Sequence, residues 1–291
     1  MKTFAIVAKP NHPLAESLIL DLVKFFKRGG YTYLVDEETY AGYERVFGGE
    51  KFQTIPRDDL TTSGNVIIVL GGDGTLISVC RHPGSSSPDI IGVNLGTLGF
   101  LTEITADELM PTLEAYQNGA TLTEPRPLLE VCVKESGKES KFFALNDVVI
   151  GKQALARIFA LRLKAGSEDA AIIRGDGVII STPAGSTAYS LAAGGSIVHP
   201  GVDALLVTPI CPHSLSSRPL VVPDSMTLEM TIGPDCRADS VFLTVDGQEG
   251  FPLHEGASVL VRKSKFSVNF VKSLSRSYFG ILTGKLKWGQ G

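Results

Sequence analysis

The feature that most constrains the fold is a change of pattern at Glu124-Pro125-Arg126-Pro127. Before it, apolar runs alternate with helix-period segments. Residues 4–8, 31–35, 66–70 and 90–94 are short and apolar, as buried strands require. Residues 14–27 set Leu14, Leu18, Leu22, Phe25 and Phe26 close to helical spacing and end on Gly29-Gly30. Thr105-Ala106-Asp107-Glu108 has the form of a capping box, opening a helix that stops near Gly119. Strand–helix alternation predicts a doubly wound, Rossmann-like parallel sheet, an α/β fold. After the two prolines the apolar runs read mostly as strands: 128–134, 142–150, 158–163, 178–181, 226–232, 241–245, 257–262 and 266–271. Turn residues punctuate them, which predicts an all-β, sandwich-like half. The expected division is an α/β nucleotide-binding domain over 1–123 and a β-rich domain over 124–274. The segment 275–291 is expected to pack back on the first domain, with a helical pattern over 278–288. Residues 186–195 read as a short helix between glycine turns, and 83–88 as a mobile loop.

Composition narrows the classes. Hydrophobic residues make up 43% and charged residues 20%, enough to bury a core. A net charge of −4 supplies no basic field for nucleic acid. No apolar run approaches the ~18 residues of a membrane span. The 4 cysteines, Cys80, Cys132, Cys211 and Cys236, lack C-x-x-C spacing. Met1-Lys2-Thr3 leads straight into a strand-like run, so no signal peptide is expected. Together these predict a reduced, cytoplasmic protein.

Chemistry concentrates where strands stop on small residues. Gly71-Gly72-Asp73-Gly74-Thr75 follows an apolar run directly. Glycines there let backbone amides approach a phosphate, and Asp73 is placed to handle a charged oxygen, a metal or a hydroxyl proton. A plain strand-to-helix turn is the alternative. A second glycine-rich run, Asn94-Leu95-Gly96-Thr97-Leu98-Gly99-Phe100-Leu101, also follows a strand, which favours a phosphate cradle over either turn alone. Asn146-Asp147 falls inside the apolar run 142–150, so one of the pair must face a core or a ligand; a strand-edge bulge is the alternative. Thr182-Pro183-Ala184-Gly185-Ser186-Thr187-Ala188-Tyr189-Ser190 would present hydroxyl and amide donors at a helix start, with Tyr189 free to stack on a base. Arg174-Gly175-Asp176-Gly177 joins a cation and an acid, either at a site or in a surface turn. Asp246-Gly247-Gln248 reads as a hairpin turn.

Other motifs fail. Gly280-Ile281-Leu282-Thr283-Gly284-Lys285 is not a Walker A loop, because three residues rather than four separate its glycines and Leu286 follows the lysine. There is no H-E-x-x-H, no G-x-S-x-G elbow, and no G-x-G-x-x-G after the first strand. Cys211-Pro212-His213 has no second pair at zinc spacing.

Taken together the motifs resemble the NAD kinase family over nearly the whole chain. The carriers are Gly71-Gly72-Asp73-Gly74-Thr75, residues 94–101, Asn146-Asp147, residues 182–195, Pro212-His213-Ser214-Leu215-Ser216-Ser217-Arg218-Pro219-Leu220, and Asp246-Gly247-Gln248. The first is shared with lipid kinases, which typically carry Asp-Gly-Glu where this chain has Asp246-Gly247-Gln248. The resemblance implies Mg²⁺-dependent phosphoryl transfer from ATP to the adenosine-ribose 2′-hydroxyl of NAD, giving NADP, in a homodimer or homotetramer. It implies Asp73 as the acceptor of the hydroxyl proton and Gly74 as the point of NAD approach. It implies that Gly71, Gly72, Gly74, Thr75 and Gly96 meet the donor phosphates. Asn146, Asp147, Arg157, Arg174, Asp176, Thr187, Ala188, Tyr189, Ser190, Leu191, Ala192 and Gln248 would contact NAD. No metal ligand is assigned. Thr97, Ser196 and Asp147 depart from the family's frequent His, Pro and Glu. A non-catalytic NAD sensor is the remaining alternative, although the chain keeps Asp73.

Overall fold

The computed structural model describes residues 2–48, 52–84, 87–152, 158–233 and 241–289. It divides into two compact units, Met1–Pro125 with Phe266–Gly291, and Arg126–Lys265.

The first unit is built on a parallel sheet. Asp89–Asn94 lies beside Val66–Leu70, then Thr3–Ala8, Thr32–Asp36 and Gln53–Ile55. The chain visits the middle first and reverses outward between Thr3–Ala8 and Val66–Leu70, so the switch point of a doubly wound sheet falls between these two strands. Both carry buried side chains on both faces, as helix-covered parallel strands do. The Pro13–Gly29 helix buries Leu18, Ile19, Leu22, Val23, Phe25 and Phe26, and Gly30 closes it in the left-handed conformation (φ 66°). The expected capping box is present, with Glu108 Oε2 accepting from Thr105 N–H at 2.9 Å. Glu37–Phe47 and Asp73–Cys80 are further helices beyond those the periodicity predicts. The last strand contributes Asn269 and Phe270, paired in parallel with Asp89 and Ile90. Residues 266–274 therefore join the first compact unit, whereas the sequence pattern groups them with the second half.

The terminal segment is held within this unit by charge. Lys272 pairs with Glu103 at 2.9 Å, Ser273 N–H donates to Glu103 at 3.0 Å, and Arg276 and Ser275 both reach Glu108. Burial alone would raise the Glu108 carboxyl; hydrogen bonds from Ser275, Thr105 and Arg276 outweigh it and hold it down at about 2. The segment then forms the Tyr278–Leu286 helix, capped by Ser277 and seated by buried Ile281 and Leu282.

The second unit is a sandwich of antiparallel sheets. One runs Leu220–Pro223, Ala204–Ile210, Gly177–Ser181, Asp147–Lys152, Val241–Val245, Glu249–Leu253. The other joins Glu168–Gly175, Phe159–Ala165, Leu228–Ile232 and the first part of Ser258–Val271, with the Lys138–Ala144 hairpin partner of Thr123–Glu135. Leu161, Met230, Val259 and Leu129 from this sheet share one core with Val148, Val178, Val207 and Leu243 from the other.

Three expectations are corrected. The run 142–150 is not one strand: it breaks at Leu145-Asn146, because those amides leave the ladder to meet a carboxylate described below. The runs 257–262 and 266–271 form a single strand, Ser258–Val271. Thr123–Glu135 passes through Pro125 and Pro127 without stopping; its pairing with Lys138–Ala144 begins only at Leu129, so neither proline removes a donor from that ladder. Among the described residues of the second unit, the strands Glu168–Gly175, Ala204–Ile210, Leu220–Pro223 and Glu249–Leu253 carry no expectation from the sequence. Of these, Glu168–Gly175 is an edge strand whose Ile172 is exposed, so it lacks a buried periodicity to read. Ser85 and Ser86 of the expected loop, and Arg157 and Cys236, lie outside the described residues.

Candidate functional site

At the switch point of the first unit, Lys9 N–H donates to Leu70 O at 2.8 Å, and Gly71 N–H to Val93 O at 2.9 Å. The three central strands thus end together on Gly71-Gly72-Asp73-Gly74-Thr75. Gly71 is required sterically: a Cβ there would stand 2.6 Å from Thr75 Oγ1. At Gly72, Gly74 and Gly96 a Cβ would meet nothing within 4 Å, so the space in front of these backbones is open. Asp73 begins the helix, where a negative charge is favoured by the dipole.

The Asp73 carboxylate binds the second glycine-rich run. Its Oδ1 accepts from Leu101 N (3.1 Å), Thr102 N (2.9 Å) and Thr102 Oγ1 (2.9 Å); its Oδ2 accepts from Phe100 N (2.9 Å). Asn94 continues the chain of bonds, donating to Thr102 Oγ1 at 3.1 Å and Thr97 O at 2.7 Å. Gly99 must be glycine, because a Cβ would lie 1.9 Å from Asp73 Oδ1. Oδ1 is crowded with donors, so the remaining acceptor position of this carboxylate is on Oδ2.

The second unit holds a pocket of about 320 Å³, lined by Asn146, Asp147, Val149, Ala188, Tyr189, Thr244, Asp246 and Gly247. That is the size range of small-molecule sites. Its floor depends on Asp246. With Gly247 it makes the expected Asp-Gly hairpin turn, both residues at positive φ (50° and 66°), Gln248 N–H closing on Val245 O at 3.0 Å. The side chain does more than turn: it accepts from the amides of Leu145 (2.8 Å), Asn146 (2.8 Å) and Asp147 (3.0 Å). Sequence reasoning missed this clamp, since a turn accounts for Asp246 completely at the level of sequence. From the other side Gly185 presses on the same bend, where a Cβ would come within 2.1 Å of Asn146 O. Thr182 holds the bend too, its N–H reaching Asn146 O at 2.9 Å and its hydroxyl Leu145 O at 2.7 Å.

Two polar groups are left for a ligand. Asn146 Oδ1 is buried with no hydrogen-bond partner among the described residues. Leaving such an acceptor unpaired costs about 1–3 kcal/mol, which a donor on a ligand would recover. Asp147 is buried, with the Tyr189 N–H as its hydrogen bond. Burial first, then the neighbouring Asp246 carboxylate, push its carboxyl up to about 7. It is therefore poised to exchange a proton or a hydrogen bond near neutrality.

The structure gathers Asn146, Asp147, Ala188 and Tyr189 around this pocket, with Tyr189 half exposed. The helix expected over 186–195 is two short pieces, Ala184–Thr187 and Tyr189–Ala192. Thr187 spends its hydroxyl on Ala184 O at 3.3 Å, and Ser190 is fully buried with its hydroxyl 2.8 Å from Thr208 Oγ1. Asp176 is elsewhere. Strand pairing sets Ser181 opposite Asp147 and Gly177 opposite Gly151, so Gly177 lies about 13 Å along the sheet at the ~3.3 Å rise of a strand, and Asp176 one residue beyond it. Its ion pair is with Lys152 at 3.1 Å rather than with exposed Arg174. Among the described residues no three His, Cys, Asp or Glu side chains come together as a metal cage.

Comparison with known proteins gives the constellation its family. A family model described as the ATP-NAD kinase N-terminal domain matches residues 4–121, and one described as the ATP-NAD kinase C-terminal domain matches residues 145–273. A curated NAD kinase of Geobacter sulfurreducens is 43% identical over 291 residues, covering 100% of both chains. One from Solibacter usitatus is 39% identical, covering 100% of this chain and 99% of its own. A crystal structure of yeast NADH kinase complexed with NADH superposes with a TM-score of 0.88 at 25% identity, over 100% of this chain and 89% of that one. An Archaeoglobus fulgidus NAD kinase in complex with ATP shares the fold at a TM-score of 0.75 and 23% identity, over 98% of each chain. The chain belongs to the NAD kinase family.

Proposed function

We propose that this chain is an NAD kinase, transferring a phosphoryl group from ATP to the 2′-hydroxyl of the adenosine ribose of NAD. The observation that carries the reading is the match of both halves of the chain to the two NAD kinase domain families. In the reaction the 2′-oxygen forms a bond to phosphorus, the bond from phosphorus to the ADP oxygen breaks, and the hydroxyl proton passes to a base. Phosphoryl transfer asks mainly for positioning and charge stabilisation. Asp73 is the proton acceptor, and the vacant position on its Oδ2 supports that role. Gly74 admits NAD beside it. Gly71, Gly72, Thr75 and Gly96 meet the donor phosphates, for which the open space at Gly72 and Gly96 leaves room.

The 1–123 domain serves the donor and the β-rich domain NAD. Asn146 and Asp147 hold the adenosine part, and the unpaired Asn146 Oδ1 supports a donor contact there. Ala188, Tyr189, Leu191 and Ala192 line the dinucleotide site, with Thr187 and Ser190 shaping it through backbone geometry. Arg157, Arg174, Asp176 and Gln248 contact more distant parts of the dinucleotide. Mg²⁺ would supply charge neutralisation for the donor's phosphates at the Gly71-Gly72-Asp73-Gly74-Thr75 and Gly96 backbones. The enzyme is a cytoplasmic homodimer or homotetramer; no helix of the described residues is long and apolar enough to cross a membrane.

The test is direct. The purified protein is incubated with NAD, ATP and Mg²⁺, and NADP is measured through a coupled dehydrogenase. Folded protein that forms no NADP overturns the reading. Asp73→Asn is expected to keep the fold and lose most of the rate; undiminished turnover removes Asp73 from the mechanism.

A further inference from the structure

The donor cradle has an electrostatic gap. Gly71-Gly72-Asp73-Gly74-Thr75 and residues 94–102 contain no lysine or arginine, and Asp73 is their one charged side chain. A linear polyphosphate brought to these backbones meets a carboxylate and no cation of the same loops. Phosphoryl transfer concentrates negative charge there and needs positive groups to offset it.

Tertiary packing brings a cation back. Lys285, in the last turn of the Tyr278–Leu286 helix, holds its ammonium 5.0 Å from the centroid of the Phe100 ring. Phe100 is the residue whose N–H binds Asp73 Oδ2 at 2.9 Å, so the lysine stands over the loop that Asp73 clamps. Its place is firmly set by Ile281 and Leu282 in the core and by the Lys272–Glu103 and Arg276–Glu108 pairs that tether the preceding segment. Lys272 and Arg276 are thus spent on carboxylates. Lys285 is exposed and has no carboxylate partner among the described residues. An exposed cation over an aromatic ring is only weakly held, so the ammonium can leave the ring for a stronger anion.

We propose that Lys285 binds the phosphates of the phosphoryl donor, a linear polyphosphate anion carried by ATP or as inorganic polyphosphate. The inference rests on the NAD kinase reading for its kinetics but not for its binding test. A false Walker A motif at Gly280-Ile281-Leu282-Thr283-Gly284-Lys285 thereby ends in a phosphate-binding lysine all the same. It works by packing onto another glycine-rich loop rather than through its own.

The experiment compares Lys285→Met, which keeps the stem over the ring and removes the charge, with Lys285→Arg, which keeps the charge. KM for ATP is expected to rise about tenfold in Lys285→Met, with KM for NAD unchanged and the loss largely recovered in Lys285→Arg. Calorimetric affinity for inorganic tripolyphosphate should fall by a similar factor, which no loss of adenine or ribose contact would produce. Thermal melts confirm that both variants are folded. Unchanged ATP KM and tripolyphosphate affinity in Lys285→Met overturn the proposal. So does loss of ATP affinity with tripolyphosphate binding intact. Lys9, which leaves the neighbouring strand beside Leu70, is the rival cation. If Lys9→Gln weakens tripolyphosphate binding and Lys285→Met does not, the assignment fails. A wild-type chain that forms no NADP sinks the kinase reading alone, since tripolyphosphate binding is read without turnover.

Discussion

Asp73 in the first unit and Asp147 in the second are both acids at the ends of strands, both beside small residues, and both assigned to the same reaction. Their surroundings are opposite. Asp73 accepts four hydrogen bonds from its own chain. Asp147 is buried with the Tyr189 N–H and faces a second carboxylate, Asp246, which takes the three nearby amides instead. An acid surrounded by N–H groups fixes a loop; an acid buried beside a second carboxylate that takes those groups is pushed up toward neutrality. The count of donors, which sequence does not display, separates the two roles.

The comparison can be broken most forcefully at the glycines that make each acid's geometry possible. Gly185→Ala puts a Cβ 2.1 Å from a backbone oxygen, Asn146 O, which has nowhere to go. A destabilisation of about 3 kcal/mol is expected in chemical unfolding, with NAD binding lost at once. Gly99→Ala meets Asp73 Oδ1 at 1.9 Å, a side-chain atom with some freedom, so about 1–3 kcal/mol is expected with the activity loss falling on the donor side. Equal costs at the two sites would mean that the two bends are equally compliant.

Asp246→Ala should cost up to about 3 kcal/mol, because it leaves amides at Leu145, Asn146 and Asp147 without their acceptor. It should also lower the Asp147 carboxyl by removing the like charge, visible as a downward shift in the pH profile of NAD binding. An unmoved profile would leave burial as the whole cause.

The pH dependence of stability tests Asp147 more gently. Its folded carboxyl is raised from 3.8 to about 7, so between those values the folded chain holds a proton that the unfolded chain has released. On this account stability falls as pH climbs from about 4 toward 7 and is level above that. Asp147→Asn lacks the group, so its urea midpoint should gain on the parent's across that window; parallel curves would show an ordinary carboxylate. The smallest effect belongs to Asp176, whose carboxylate pairs with Lys152. Lys152→Gln should change stability by less than about 1 kcal/mol, as a partly exposed pair does. A larger loss would add Asp176 to the clamping acids.

Legibility differed between the halves for physical reasons. Strands Val66–Leu70 and Val241–Val245 agree with their apolar runs to the residue, since burial alone writes such runs. Glu168–Gly175 left no pattern because it is an edge strand with most of its side chains exposed. The break at Leu145-Asn146 was invisible because its cause, Asp246, lies about a hundred residues away and looks like an ordinary turn. Asp73, Asn146, Asp147 and Tyr189 were named from motifs, while Thr244 and Val149 reach the pocket only through strand pairing.

The sequence by itself determined the two architectures, the glycine-rich strand ends and the family, because periodicity, turn chemistry and motif order are properties of neighbouring residues. Tertiary structure alone decided which carboxylates act as clamps, which one titrates, and that Lys285 stands over Phe100. Those outcomes depend on donors and charges that meet only when distant segments pack.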